Sequence, residues 1–404
     1  MKYASWMREL EFLEDEDDIS RGVFDMLLWS PHPKPLCPRL LKLSWIADPV
    51  FWGDFTPFLS SQLQDVYLAS RPGTLFMFPR AISALPISSL RSLRLSIIGD
   101  EPVREAIASI LKASGKSLTN LKIFRMDQLQ DGSWCHIISL PRLRSLETDQ
   151  WPPIVFPPSL PEFFPSLQQI ILHGPAAFRW VNFLAEGSAQ RISSNTRSQS
   201  HKVAPRLVQL HCDYEADLDV TFISHFRAFR NLYTLVLGNG CSRATRRTFH
   251  LTDNDISQLA MELPELRELS LGDPCMHNTC RTTVNSLLTL STHCKGLRKL
   301  RIHFNTRNFA RDMRHSLHNP LRRNSHPPSR CPLVVLDVGP IPLTTKALGK
   351  DLFPTLAGLV DIFPGLQGIS CTPSSHTSRG WRQLGAQIPS FQEMRKSLPA
   401  VFTQ

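Results

Sequence analysis

Apolar residues along this chain fall into a recurring phrase, L-x-x-L-x-L. It is plainest in "LPELRELSLGD" (263–273), where Leu266, Leu269 and Leu271 follow Pro264. The phrase returns as "CPRLLKLSW" from Cys37, "SSLRSLRLS" from Ser88, "KSLTNLKIF" from Lys116, "LPRLRSLET" from Leu140, "FPSLQQIIL" from Phe164, "APRLVQLHC" from Ala204, "FRNLYTLVL" from Phe229 and "CKGLRKLRI" from Cys294. Weaker copies are "SQLQDVYL" from Ser61, "CPLVVLDV" from Cys331 and "FPGLQGISC" from Phe363. The twelve copies open on Leu40, Leu63, Leu90, Leu118, Leu143, Leu167, Leu207, Leu232, Leu266, Leu297, Leu333 and Leu366, at steps of 23 to 40 residues. Only Thr148 puts a polar side chain at one of the apolar positions. A period of this size marks a stacked repeat array.

The last two apolar residues of each phrase are two apart, so in an extended strand they share one face and the residues between them point the other way. A short strand with one apolar face cannot hold itself together, and neighbouring copies must stack to bury a common core. In six copies a proline precedes the first leucine by two (Pro38, Pro141, Pro165, Pro205, Pro264, Pro364). With no amide proton and a fixed φ, it ends the preceding helix and directs the chain into the strand.

Between strands the period changes. "EPVREAIASILKAS" (101–114), "LTDNDISQLAMEL" (251–263) and "RTTVNSLLTLSTHC" (281–294) space apolar residues by three and four, as an amphipathic helix requires. Thr252, just ahead of Asp253 and Asp255, has the look of a helix start. Strand, turn, helix and turn, repeated, predict an α/β leucine-rich-repeat solenoid. The expected form is a horseshoe of about twelve irregular repeats, with parallel strands on the concave face and helices on the convex face. Residues 36–372 make up this array. Residues 1–35 are an N-terminal capping segment containing "GVFDMLLW" (22–29), and residues 373–404 are a C-terminal cap or tail that Trp381 and Phe391 are placed to close.

Hydrophobic residues at 42% and charged ones at 20% describe a globular chain. No apolar run approaches membrane-spanning length, and the start "MKYASWMRELEFLEDEDD" is acidic where a signal peptide is basic and then apolar, so the chain is expected inside the cell, in cytoplasm or nucleus. Nine scattered cysteines fit reduced, buried thiols better than a disulfide framework, with Cys212 and Cys371 at core positions of their strands. Seven acids crowd residues 9–18, and residues 295–330 hold ten Lys or Arg against Asp312, nearly the whole chain's net charge of +10. That basic segment is able to attract phosphate-rich partners, but a solvated insertion near 306–330 is the plainer reading. A second insertion, near 185–205, is rich in Ser, Arg and Gln and reads as flexible.

The sequence contains no phosphate-binding G-x-x-x-x-G-K-[ST] or G-x-G-x-x-G, no G-x-S-x-G and no H-E-x-x-H, and no enzyme activity or cofactor is expected. The best metal candidate is the group Cys275, His277, Cys280, His293, Cys294 and His303. Cys275 to Cys280 is one residue wider than the usual zinc opening, and Cys294 falls where a helix turns into the next strand, so no metal is assigned.

Recognition is expected on the strand residues that flank the core leucines, the face that repeat arrays use. These include Ser92, Arg94 and Ser96; Asn120, Lys122 and Phe124; Ser145, Glu147 and Asp149; Gln209, His211 and Asp213; and Lys299, Arg301 and His303. From them the candidate partner-binding residues are Arg94, Lys122, Phe124, Glu147, His211, Asp213, Lys299, Arg301 and His303. The mixture of signs and types suits a protein partner rather than a uniform phosphate track, and Phe124 and Arg301 are of the kinds most often found as hot spots.

The run "KYASWMRELEF" (2–12), followed by "LCPRLLKLSW" and irregular L-P-x-L-x-x-L copies, resembles the repeat region of fungal F-box/leucine-rich-repeat proteins. In that family a short "YA…VR.L" segment follows the F-box; Tyr3, Ala4, Met7, Arg8 and Leu10 occupy its places. The F-box itself has no counterpart among these residues, so its adaptor-docking positions are not carried over. The asparagine that the family places after each strand is also nearly absent, Asn305 excepted. The resemblance implies the substrate-recognition half of an SCF-type ubiquitin-ligase receptor, a module that binds proteins and performs no chemistry. The alternatives are a stand-alone scaffold or regulator with no ubiquitin link and a nucleic-acid-associated protein using residues 295–330.

Overall fold

A computed structural model describes residues 6–13, 35–47, 55–70, 82–96, 101–124, 129, 131–150, 163–174, 176–189, 206–213, 220–238, 251–272, 281–306, 308–318, 331–339, 343, 348–371 and 379–397. The chain divides into two compact units, Met1–Trp180 with Gly187–Leu207, and Val181–Glu186 with Val208–Gln404.

The first unit holds seven strands, β1 (Glu9–Leu13), β2 (Lys42–Ala47), β3 (Asp65–Ser70), β4 (Ser92–Ser96), β5 (Asn120–Phe124), β6 (Ser145–Thr148) and β7 (Gln169–His173), each parallel to the next and in chain order. The second holds β8 (Gln209–Asp213), β9 (Thr234–Leu237), β10 (Glu268–Leu271), β11 (Lys299–Arg301), β12 (Val335–Asp337) and β13 (Gly368–Ser370), paired in the same way. Among the described residues, from β4 onward helices fall between successive strands, β6 and β7 excepted: α1 (Glu101–Ala113), α2 (Asp131–Ser139), α3 (Ala176–Ala189), α4 (Val220–His225), α5 (Asp253–Glu262), α6 (Val284–His293), α7 (Phe309–His318), α8 (Leu352–Ile362) and, after β13, α9 (Arg379–Ser397). This is the parallel α/β repeat solenoid expected of leucine-rich repeats.

The twelve copies of the phrase coincide with β2 to β13, and their apolar positions are buried except Ile369 and Cys371. Ile369 lies in β13 and Cys371 just past it, and among the described residues no further strand pairs with β13, so Cys371 is half-exposed instead of sitting in a core. Helix α9 lies there instead. Gly385 brings it so close that a side chain would meet the Ile369 carbonyl at 3.3 Å, and the Gln392 amide donates to the Leu366 carbonyl at 2.6 Å. Trp381 is fully buried against Phe304 and Phe309, at ring separations of 5.6 and 5.2 Å, while Phe391 stays half-exposed. The stretch 22–29 lies outside the described residues.

Strand β1 is a thirteenth, one more than the phrase predicts. Its Phe12 stacks on Trp45 at 4.6 Å, and the Arg8 carbonyl accepts from the amides of Leu41 and Lys42. Helix α7 forms within the stretch expected as a solvated insertion, because Phe309, Ala310 and Met313 give it a buried face. The start of the other insertion is the end of α3, and residues 190–205 lie outside the described ones.

The prolines do a more specific job than ending helices. In the turn Cys37–Leu40 the Leu40 amide donates to the Cys37 carbonyl at 3.0 Å, and Leu266 to Leu263 and Leu366 to Phe363 repeat the bond. Pro38, Pro264 and Pro364 therefore occupy the second position of a β-turn, where a fixed φ near −65° is already correct. Small side chains then fasten one repeat to the one before. Ser60 Oγ donates to the Pro38 carbonyl, Ser89 to Leu63, Ser117 to Ile87 and Ser166 to Pro141, at 2.6–2.9 Å. In the second unit the thiols of Cys294 and Cys331 take the same place, pointing to Leu263 at 3.7 Å and Leu297 at 3.5 Å. Just past their strands the chain turns through a left-handed conformation at Gly174, Gly238, Gly272 and Gly339, all with φ between 59° and 72°.

Candidate functional site

Parallel pairing in register brings equivalent residues of successive strands side by side. In the first unit the central outward row runs Glu11, Ser44, Tyr67, Arg94, Lys122, Glu147 and Ile171. The flanking core positions are buried, as with Leu93 and Leu95 around Arg94 and Leu121 and Ile123 around Lys122, so these side chains stand on the face opposite the core.

Five neighbouring strands, β3 to β7, build the chemistry of this face. The Arg94 guanidinium, on β4, lies 4.3 Å from the centre of the Tyr67 ring of β3 and 5.7 Å from that of Phe124 of β5. Phe124 in turn meets His173 of β7 at 5.7 Å. Lys122 Nζ sits 2.5 Å from Glu147 Oε2, and His173 Nε2 lies 3.2 Å from Glu147 Oε1. Burial works to raise the Glu147 pKa, but the hydrogen bonds and charges of Lys122 and His173 outweigh it and hold the carboxyl below its ordinary value. Arg94, Lys122, Phe124 and Glu147 thus come together as one cluster. Tyr67 and His173 belong to it and were not singled out from the sequence. Tyr67 is legible in principle, as the residue between Val66 and Leu68 of a weak copy.

The second unit is different. Lys299 pairs with Glu268 at 3.9 Å, and Arg301 Nε with Asp337 Oδ2 at 3.5 Å, each along the strand register. His211 and Asp213 are half-exposed on β8, but the positions beside His211 on β9 and β10 are Val236 and Ser270, exposed by only 6% and 8%. The outward row is therefore closed to solvent between His211 and Arg301.

His303 does not stand on this face. Strand β11 ends at Arg301, the alternation ends with it, and Ile302, His303 and Phe304 are all buried. Burial, with the Arg301 charge adding to it, pushes the His303 pKa down to about 3, so the imidazole is neutral. Thr282 Oγ1 donates to the His303 backbone carbonyl.

Of the metal candidates, Cys275, His277 and Cys280 lie outside the described residues. Cys294 is spent on repeat-to-repeat contacts with the Ala260 and Leu263 carbonyls, and its thiol is pushed up to about 12 by burial and by neighbouring Cys331. Burial likewise drives the Cys212 thiol far above its ordinary value, which leaves it inert as a nucleophile. No helix among the described residues is long and apolar enough to cross a membrane.

A parallel repeat solenoid with an aromatic and charged cluster on its open sheet face defines a class by architecture. No protein-family model matches the chain, and no curated protein matches it.

Proposed function

We propose that this protein is a non-catalytic recognition module that acts inside the cell and holds a protein partner on the open sheet face of its first unit. We further propose that it is the substrate-recognition part of an SCF-type ubiquitin-ligase receptor, the role implied by the resemblance of its repeats to fungal F-box/leucine-rich-repeat proteins. The observation that carries the recognition reading is the cluster of Tyr67, Arg94, Phe124, Lys122, Glu147 and His173. Aromatic residues and arginine, pre-positioned by their neighbours on a rigid sheet, have the composition of a binding hot spot. Its ion pair and aromatic contacts are already formed, so a partner docks without ordering those side chains first. A nucleic-acid role for residues 295–330 has less support, because Lys299 and Arg301 already face Glu268 and Asp337.

The test is affinity purification from a fungal lysate with the chain as bait, alongside a Tyr67→Ala/Phe124→Ala variant. The ligase reading expects the SCF adaptor and cullin with the wild-type bait, and a third protein that the variant loses. A stable partner without adaptor or cullin leaves a scaffold and ends the ligase reading. A partner retained in full by the variant ends the assignment of this face.

A further inference from the structure

Arg94 differs from the other basic side chains described in the outward rows of the first unit. Lys42 is 2.7 Å from Glu9, Lys122 is 2.5 Å from Glu147, and His173 shares that same carboxylate. Among the described residues Arg94 has no carboxylate and no hydrogen-bond partner, and it is exposed. What it has is two rings, Tyr67 at 4.3 Å and Phe124 at 5.7 Å. Contact with aromatic rings holds a guanidinium in place while leaving its N–H groups unspent. The result is a fixed fork of donors and an unmatched positive charge on an open face, which is the arrangement that binds a carboxylate through two parallel hydrogen bonds.

Resting on the recognition reading above, we infer that Arg94 receives an aspartate or glutamate side chain from an acidic peptide segment of the partner, with Tyr67 and Phe124 as the walls that orient the fork. One unmatched guanidinium balances one carboxylate. A phosphorylated side chain brings nearly two charges and finds no second free cation among the described residues of this cluster: Lys122 is occupied, and the ionised Glu147 stands two strands away, about 10 Å at the usual strand spacing. The cluster therefore selects a carboxylate over a phosphate.

The experiment is selection of a randomised, unphosphorylated eight-residue peptide library on the immobilised full chain, followed by affinity measurement of the enriched peptides. The expected result is enrichment of Asp or Glu at one fixed position. Binding should weaken at least tenfold with Arg94→Gln, and nearly as much with Arg94→Lys, which keeps the charge and loses the fork. Replacing the peptide acid by its amide should cost the same and add nothing to the Arg94→Gln loss. The melting temperature of Arg94→Gln should match wild type, since the side chain is exposed. Enriched peptides without an acidic position, or bound equally by Arg94→Gln, overturn the carboxylate inference and leave the recognition reading standing. A phosphoserine copy that binds tenfold tighter than the glutamate peptide overturns it in favour of phosphate. A library from which nothing is enriched overturns both.

Discussion

Asp253 and Thr283 are joined across thirty residues of chain: the Thr283 amide donates to Asp253 Oδ1 at 2.7 Å and its hydroxyl donates to Oδ2 at 2.5 Å. Ser286 adds a third bond to the same carboxylate at 2.5 Å. Asp253 opens α5 and Thr283 is the N-cap of α6, so one carboxylate at the positive end of its own helix also fastens the start of the next. Beside it, Thr252 and Asp255 form a capping box. Charge-assisted bonds of this kind contribute about 1.5–3 kcal/mol each and are not additive, so Asp253→Ala should cost ~3 kcal/mol. Urea unfolding with hydrogen exchange of the α6 amides measures it. A loss below ~0.5 kcal/mol would show that water replaces the carboxylate without penalty.

His303 makes stability pH-dependent in a direction that follows from its burial. Folded, it stays neutral down to about 3; unfolded, it protonates near the ordinary histidine value of about 6.5. Between those values the unfolded chain binds the extra proton, so stability is full above about pH 6.5 and falls as pH drops, by about 1.4 kcal/mol per unit from this one group. Denaturant titrations from pH 7 to pH 4.5 should show a shallower decline for His303→Leu than for wild type. Equal slopes would place the imidazole in contact with water.

Much of this architecture is legible in the sequence because two-apart leucines have one structural meaning. The twelve phrases became twelve strands, and the helix start at Thr252 came out as a full capping box. What failed did so for local reasons. Leu10 and Phe12 of β1 sit in an acidic run with no leading leucine, so the strand announces itself only by pairing with β2. Thr148, polar at a core position, is accommodated because its hydroxyl accepts the Gln150 amide at 2.9 Å. His303 was placed by extending strand alternation past the point where the strand stops. The Arg94 cluster was half visible: its outward residues follow from the period, but that two rings bracket the guanidinium depends on side-chain directions that the period does not specify.

Gly238 and Gly272 tie left-handed turns of adjacent repeats together. Their φ values are 72° and 71°, and a Cβ on Gly238 would lie 3.3 Å from the Gly272 Cα. Gly238→Ala meets both a positive φ and a backbone atom that cannot swing away, and should cost about 2 kcal/mol, whereas Gly132→Ala inside α2 meets nothing within 4 Å and should stabilise by several tenths. Thermal unfolding of the pair separates the two effects.

Helix α9 should be needed for the last repeat to stay closed. Gly380 leaves no space for a side chain: a Cβ there would collide with the Leu343 carbonyl oxygen. Gly380→Ala should therefore loosen α9, and Trp381→Ala, which empties a fully buried site, should cost about 3–5 kcal/mol. Limited proteolysis should then cut within α9 at rates far above wild type, with faster exchange at β13. Unchanged proteolysis would mean that α9 covers nothing essential.

The central claim is that a partner docks on the open sheet face of the first unit rather than on its helices. It is met most directly by photo-crosslinking, with a benzophenone amino acid placed in turn at Tyr67 or Lys122 on the sheet and at Glu105 or Lys112 on the exposed side of α1. The account predicts partner adducts from the two sheet positions and none from the helix positions. Adducts from Glu105 and Lys112, with the sheet positions silent, would contradict it.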